Sequence, residues 1–388
     1  MQELKVTGIM SQDKEESLFC FFVTPLYVER VLTFGTVICL DSFLYVLTIM
    51  PLRFFIACLS ILKFGRLKIN RRSDIIKGLI ASIVIYLLLK LNTSRVYHGI
   101  RAQTGIKLFV MYNVLEIIDK CCCSIGQDIL DCLVSLPTSL SAFRTNLFAT
   151  LTFFYCLFHS FVLVWQTVTL NVTVNSYSNA FFTLMLSNQF REISSVAFKK
   201  FDKEALFQLT CEDITQRFQL SVMLLLVSLR NILDSSSFTY PLVNFSKLQT
   251  LLGPSIMVML SMVGVDWLKH AFIVKFNNLR PSVVYNRFMS IFITDFVDRR
   301  QLSSVHLMVK RTGLPVLPLA VLSARMVAKL DEFNLFWGVG IWVILLLVKL
   351  ILGVALEDYT GARLGQDDSP REDLDTVTRY SSPNKAWT

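Results

Sequence analysis

Charged residues are scarce in this chain of 388 residues, where Asp, Glu, Lys and Arg make up 17% and apolar residues 53%. Soluble domains carry about a quarter charged residues, and the mean hydropathy of +0.54 is far above theirs. The composition therefore excludes an ordinary soluble domain and predicts a membrane protein. The net charge of +9 comes largely from bases that flank apolar runs, so we expect a lipid bilayer as partner and no nucleic acid.

Motifs that would indicate an enzyme are also missing. The histidines, His98, His159, His270 and His306, form no HExxH pair, and none is followed by an aspartate four residues later. No GxSxG elbow and no Walker loop occurs in the sequence. We therefore expect no enzyme activity and no cofactor, and we name no catalytic or metal-binding residue.

Nine cysteines give no disulfide framework, because most lie in apolar or amphipathic stretches. The triplet Cys121-Cys122-Cys123 lacks the spacing of about two to four residues that zinc sites use, and no histidine pair lies nearby in the sequence. Small apolar filler is the favoured interpretation, followed by reversible palmitoylation at a membrane surface. A metal site comes last.

Apolar runs of roughly 20 residues match the hydrocarbon core of a bilayer and predict membrane-spanning helices. Some of the runs here are long and nearly free of charge, and others are at the lower limit of length. The predicted spans are Phe336–Leu356, Asn146–Leu170, Leu251–Phe276, Lys77–Leu91 and Phe218–Leu233. We expect an all-α polytopic membrane protein with about six to eight spans and additional amphipathic interfacial helices.

The run Val31–Leu62 is too long for one simple span, and it contains Asp41, Pro51 and Arg53. Proline removes a backbone donor, which lipid tolerates only where neighbouring groups satisfy the freed carbonyl. We therefore expect a broken helix or a re-entrant hairpin here, packed inside the bundle.

The runs divide the chain into three parts. We predict a polar N-terminal segment (1–30), a helical membrane domain (31–356) and a polar, disordered C-terminal tail (357–388). No signal peptide precedes the first run, so we expect the first spans to direct insertion into the endoplasmic reticulum.

Five bases between Lys63 and Arg72 predict a cytosolic loop, because short loops rich in Lys and Arg stay on that side. Glycosylation sequons begin at Asn92, Asn171 and Asn244, all close to predicted span ends. Modification requires a luminal position away from the bilayer, so the sequence leaves their use open.

A polar stripe follows the helix predicted between Thr104 and Leu133. Its members recur every three or four residues on an otherwise apolar surface: Asn113, Glu116, Lys120, Ser124, Gln127 and Asp131. Glu116 and Lys120 have the favourable order for an ion pair. Two interpretations remain, an interfacial helix with a solvated stripe and a water-filled cavity lined by the stripe.

A second stripe repeats at every fourth residue. It consists of Asn175, Asn179, Thr183, Ser187 and Arg191. Rows of amide and hydroxyl groups in lipid join helices by hydrogen bonds, and less often they line a path for a solute.

Asp266, Lys269 and His270 form the clearest ionisable cluster inside a predicted span. Spacings of three and four place all three on one helix face, where mutual neutralisation makes burial tolerable. A structural ion pair near the end of the span is favoured, and a proton relay is the alternative.

Several segments together resemble a known family. They are Tyr45–Arg53, Asn113–Glu116, Gly126–Asp131, Asn171–Phe201, Phe207–Leu220 and Val265–Asn277. Their order and spacing, over roughly Ser42 to Leu356, look like those of the transmembrane anterior posterior transformation protein 1 family. The resemblance implies a eukaryotic protein of the endoplasmic reticulum and, in animals, of the ciliary base, with roles in skeletal patterning and cilium formation.

The resemblance implies partners, and it supplies no catalytic residues because no active site is established in the family. Fungal relatives work with a SUN-like-domain membrane protein that guards newly made proteins, and plant relatives are tied to folding factors. This sequence departs from longer members in its short N-terminus and brief C-terminal tail, Glu357–Thr388. We therefore expect a scaffold or a subunit of a protein-folding or quality-control complex. The alternative is a transporter or channel that uses the polar stripes and a broken first helix.

Overall fold

The computed structural model describes residues 2–64, 72–134, 142–175, 190–191, 193–196, 199–235, 245–302, 310–329 and 335–364. Within these ranges the chain forms α-helices and no strand, which confirms the predicted all-α class. Inside a bilayer a helix satisfies its own backbone hydrogen bonds, so long apolar runs fold in this way. The main helices are α1 (Gln2–Phe64), α2 (Arg72–Leu89), α3 (Thr93–Arg101), α4 (Gly105–Val134), α5 (Ala142–Asn175), α6 (Lys203–Ser235), α7 (Phe245–Phe276), α8 (Pro281–Leu302), α9 (Val316–Ala328) and α10 (Leu335–Leu364).

Four of the described helices are long and apolar enough to cross a membrane. These stretches are Lys14–Ser60 in α1, Phe143–Asn175 in α5, Leu252–Phe276 in α7 and Gly338–Arg363 in α10. A fifth candidate is the pair of α2 and α3, which meet at an angle of 60°. The short span predicted from Phe218 lies within α6, which is less apolar overall.

The predicted break in the first apolar run is wrong. α1 continues from Gln2 to Phe64 with Pro25 and Pro51 inside it. Its apolar part alone has 47 residues, about 70 Å of helix against a hydrocarbon core of roughly 30 Å, so it tilts strongly or extends beyond the bilayer. The helix tolerates its prolines because α2 and α6 to α10 all pack along it.

The chain bends between α2 and α3 instead. Arg325 of α9 donates a hydrogen bond from Nε to the carbonyl oxygen of Leu88 at 2.9 Å, and Lys329 Nζ donates to that of Leu91. The last carbonyls of a helix lack intrahelical donors, so these cations stabilise the end of α2. Burial lowers the pKa of Arg325 to about 10, which still leaves the side chain charged at neutral pH.

α6 lies at the centre of the bundle, where it contacts α1, α5, α7 and α9. Its side chains Phe207, Ile214 and Phe218 belong to the main apolar core. Gly35 of α1 allows α1 and α6 to approach closely, since a Cβ at this position would lie 2.4 Å from Ile214 Cδ1. α6 therefore carries its polar residues into the interior of the protein.

Candidate functional site

Charged side chains of α6 and α7 form an ionic network inside the bundle. Arg217 Nε donates to Asp266 Oδ2 at 2.6 Å, while Lys269 Nζ lies 3.3 Å from Asp266 Oδ1 and 2.5 Å from Asp213 Oδ1. None of the four residues is more than 5% exposed. An unpaired charge at this depth costs several kcal/mol, so the two carboxylates and two cations stabilise one another.

Glu29 of α1 connects this network to the protein surface. Its Oε2 accepts hydrogen bonds from Arg217 Nη1 at 3.0 Å and from Trp267 Nε1 at 2.7 Å. Glu29 also lines an open cavity of about 790 Å³ between α1, α7, α8 and α10, whose other walls are largely apolar. An alkyl chain or an apolar side chain fits such walls better than a polar solute does.

His270 extends the ionic network from Asp213 towards α8. Its Nε2 lies 2.8 Å from Asp213 Oδ2 and its Nδ1 lies 2.9 Å from the hydroxyl of Tyr285 on α8. Burial, together with the charge of Asp213, raises the pKa of Tyr285, so the phenol stays neutral. The structure confirms the contact between Asp266 and Lys269 that their spacing predicted. His270 instead pairs with Asp213, which lies on α6.

The same Asp–His–Tyr arrangement occurs a second time, between α4 and α5. His159 Nε2 lies 2.7 Å from Asp119 Oδ1, and His159 Nδ1 lies 3.1 Å from the hydroxyl of Tyr155. Gln219 of α6 donates from Nε2 to Asp119 Oδ2 at 2.8 Å. The sequence analysis missed this cluster, although His159 stands as an isolated titratable group inside a predicted span.

The polar stripe of α4 faces other parts of the protein. Lys120 Nζ lies 3.5 Å from Glu116 Oε1 and 2.9 Å from Oε1 of Glu212 on α6, and Lys310 Nζ lies 2.8 Å from Asp131 Oδ2. α4 also exposes several large apolar side chains: Ile106, Val110, Val114, Ile117 and Ile125. Lys120 and Asp131 of the stripe thus join α4 to neighbouring parts of the protein, while Glu116 and Lys120 keep about a third of their side-chain surface exposed. An interfacial position of α4 stays a prediction.

Two further predicted positions lie apart from the ionic network. Gln127 donates from Nε2 to the carbonyl oxygen of Lys310. Arg53 is exposed on α1, with its guanidinium carbon 5.5 Å from the centroid of the Tyr45 ring. Neither residue is brought to the charged cluster around Asp266.

Asn175 joins the end of α5 to α6. Its amide and that of Asn231 exchange two hydrogen bonds of 3.0 Å, one in each direction. Asn175 also donates to Asn171 Oδ1 at 2.7 Å, and Asn171 is buried. The remaining members of the stripe up to Ser187, namely Asn179, Thr183 and Ser187, lie outside the described residues.

Two more ion pairs of the described structure are buried. Lys349 of α10 pairs with Asp41 of α1. Arg311 donates two hydrogen bonds to Asp295 of α8, at 2.6 and 2.8 Å. The sequence showed Asp41 and Lys349 only as separate charges within apolar runs.

Sequence reasoning also missed Asp213, Arg217 and Glu29. A signal existed for the first two, because they are opposite charges four residues apart in the stretch that leads into the run at Phe218. Glu29 gave no signal, since its contact depends on the unbroken course of α1.

These features define a class: a polytopic α-helical membrane protein in which most of the buried charges described above are paired across helices. Residues 67–364 match the model of a family described as a eukaryotic membrane protein family. Together with its named relatives, this match shows that the chain belongs to the transmembrane anterior posterior transformation protein 1 family.

Curated relatives come from fungi and animals. Endoplasmic reticulum membrane protein 65 of Schizosaccharomyces pombe is 42% identical over 346 residues, which are 80% of this chain and 53% of that protein. The Saccharomyces cerevisiae protein of the same name is 35% identical, over 88% of this chain and 68% of that protein. The human transmembrane anterior posterior transformation protein 1 homolog is 36% identical, over 81% of this chain and 57% of that protein.

The chain thus spans about half to two thirds of the length of these relatives. No solved structure matches it. The fungal names and the apolar helices agree that this is a multi-pass membrane protein of the endoplasmic reticulum.

Proposed function

We propose that this chain is a non-enzymatic scaffold, or a subunit of a protein-folding or quality-control complex, in the endoplasmic reticulum membrane. The paired charges of the interior carry the proposal: Asp213, Arg217, Asp266 and Lys269 neutralise one another across α6 and α7. A transport path needs polar groups that exchange partners with a passing solute. Fixed ion pairs instead hold helices in one arrangement. The transport alternative also depended on a broken first helix, and α1 is continuous.

α10 offers a surface for a partner. Only 11% of its most apolar stretch is buried, against 44% for those of α5 and α7. Lipid covers such a face in an isolated chain, and a transmembrane helix of a partner replaces lipid there in a complex. The family resemblance suggests a SUN-like-domain membrane protein or another folding factor as this partner, and cilium formation and developmental patterning as the processes served.

The proposal includes six membrane crossings. Four helices meet the length and apolarity of a span, and the bent pair of α2 and α3 adds one. We add α6, whose charged residues lower its apolarity but are paired with neighbouring helices, which shield them from lipid. This number is at the lower end of the range that the sequence predicts.

Affinity purification in mild detergent, followed by mass spectrometry, tests the scaffold proposal. We expect folding factors or a membrane protein with a luminal domain to accompany the chain. The variant Ile344→Trp/Ile351→Trp changes two exposed positions of α10, and Ile117→Trp/Ile125→Trp is the matched control on α4. The α10 variant should lose the partner at an unchanged melting temperature, while the control keeps it. A chain that purifies without partners, and that moves an ion or lipid across reconstituted vesicles, would show that the proposal is wrong.

A further inference from the structure

Among the described residues, one buried carboxylate has no lysine or arginine beside it. The buried aspartates are Asp41, Asp119, Asp213, Asp266 and Asp295. Four of the five pair with a lysine or an arginine, whereas in the described part of the chain Asp119 contacts His159, Gln219 and Cys123. Of these, only His159 can carry a positive charge, and only when protonated. A buried carboxylate without a full countercharge is costly, and a metal cation would supply that charge.

We propose that Asp119, Cys123 and His159 form a zinc site that ties α4 to α5. One ligand atom from each residue lies within 4.8 Å of the other two, and all three residues are buried. The distance from Cys123 Sγ to Asp119 Oδ1 is 4.0 Å, and that from His159 Nε2 to the same oxygen is 2.7 Å. Tetrahedral zinc, with bonds of about 2.0–2.3 Å, holds its ligand atoms roughly 3.3–3.8 Å apart, so side-chain shifts of about 1 Å bring the three into place.

The three ligands are positioned by the helices themselves. Asp119 and Cys123 stand four residues apart on α4, which places them on one face, one turn above the other. His159 faces them from α5, the helix against which α4 packs. The adjacent Cys121 and Cys122 do not take part, which is why the cysteine triplet gave no zinc signal in the sequence.

The groups around the ligands are those that orient metal ligands in proteins. A metal-bound histidine usually has its second ring nitrogen in a hydrogen bond, and His159 Nδ1 lies 3.1 Å from the Tyr155 hydroxyl. A ligating carboxylate is usually hydrogen-bonded too, and Asp119 Oδ2 accepts from Gln219 Nε2 at 2.8 Å. Tyr155 and Gln219 are therefore positioning residues for the site.

Room for a fourth ligand lies beside Cys123. A small cavity of about 20 Å³ is lined by Cys123, Gln127, Tyr155 and residues around Gly313. A space of about 10–15 Å³ is enough for one water molecule, so a water beside Cys123 is the candidate for the fourth ligand.

Charge and donor type select the metal. One thiolate, one carboxylate and one neutral imidazole balance a divalent cation, and a neutral site is tolerable in the interior. Sulfur and nitrogen donors favour zinc over calcium or magnesium, which prefer oxygen. Binding releases the proton of the Cys123 thiol to water. The proton shared by His159 Nε2 and Asp119 moves to His159 Nδ1, which donates it in a hydrogen bond to the Tyr155 hydroxyl, so that Nε2 and the carboxylate are each free to bind the metal.

The test uses the full chain, purified in mild detergent without chelators or a histidine tag. We expect elemental analysis to find stoichiometric zinc. After exchange with cobalt(II), we expect tetrahedral d–d bands and a near-ultraviolet charge-transfer band from the thiolate. Cys123→Ser should lose the charge-transfer band, and Cys122→Ser, a buried neighbour on the same helix, should keep it.

A milder variant keeps the proposal testable if the cysteine variants fail to fold. Tyr155→Phe keeps the ring and removes the hydroxyl that orients His159, so we expect its affinity for zinc to fall about 10-fold or more. A parent protein without zinc that gives no charge-transfer band on titration with cobalt(II) would overturn the proposal. Loss of the band in Cys122→Ser but not in Cys123→Ser would overturn the ligand assignment.

Discussion

Asp41 and Lys349, 308 residues apart in the sequence, form a buried ion pair between α1 and α10. α10 is otherwise little enclosed by the bundle, so the pair contributes much of what fixes its position. In a low-dielectric interior, the loss of one partner is strongly destabilising because it leaves the other charge buried and unpaired.

Lys349→Leu should therefore destabilise the protein by about 3–5 kcal/mol, because it leaves the Asp41 carboxylate without its cation. The double variant Asp41→Asn/Lys349→Leu should recover a large part of this loss. Thermal unfolding in detergent measures both, and Arg363→Leu at the exposed end of the same helix is the control. Equal melting temperatures for the parent and Lys349→Leu would contradict this role of the pair.

Asp266→Leu should reduce the amount of folded protein, because it leaves Arg217 and Lys269 with less negative charge nearby. The cost is on the order of a few kcal/mol. Size-exclusion chromatography of the solubilised protein measures the folded fraction, and Leu268→Ala at a half-exposed position of α7 is the control. If Asp266→Leu is abundant and stable but moves no protons where the parent does, the proton-relay interpretation is correct.

Gly126→Ala should separate α4 from α5, since its Cβ would lie 1.9 Å from Tyr155 Cζ. Overpacking of this kind costs about 1–3 kcal/mol, occasionally more. Gly264→Ala in α7 is a matched control, because its Cβ meets no atom within 4 Å. The melting temperature should fall for the first variant and stay level or rise for the second. The opposite order would show that α4 and α5 are not packed as described.

The pair of Asn175 and Asn231 should show a small but measurable coupling free energy in protein stability. Asn175→Leu leaves the Asn231 amide without its reciprocal partner, yet hydrogen bonds between membrane helices contribute only about 0.5–1 kcal/mol each. A double-mutant cycle with Asn231→Leu, followed by thermal unfolding, separates the pair from the two single changes. Strictly additive effects would show that the amides do not interact.

The sequence predicts an element of this fold well where the run is apolar along most of its length. The runs of α5, α7 and α10 are apolar along most of their length, so hydropathy alone places them. Two elements depended on neighbours instead. α6 is surrounded by protein and can carry Asp213 and Arg217, and α1 continues past Pro51 because other helices pack along it.

The same distinction applies to the candidate site. Contacts within one helix follow from spacing, as with Glu116 and Lys120 or Asp266 and Lys269. Contacts between helices depend on which residues face each other at the same depth, and a single sequence does not specify this. The partnership of His159 with Asp119, 40 residues earlier, therefore became visible only in three dimensions.

The length of α1 has a mechanical consequence. A helix is stiff along its axis, and the apolar part of this one is more than twice as long as the bilayer core is thick, so any part of α1 that extends beyond the bilayer moves together with the part in lipid. A protein that binds a part of α1 beyond the bilayer would change the tilt of the whole helix. Glu29 lies on α1 and forms an ion pair with Arg217. A force applied to α1 from outside the membrane would therefore act first on the charged residues at the centre of the bundle.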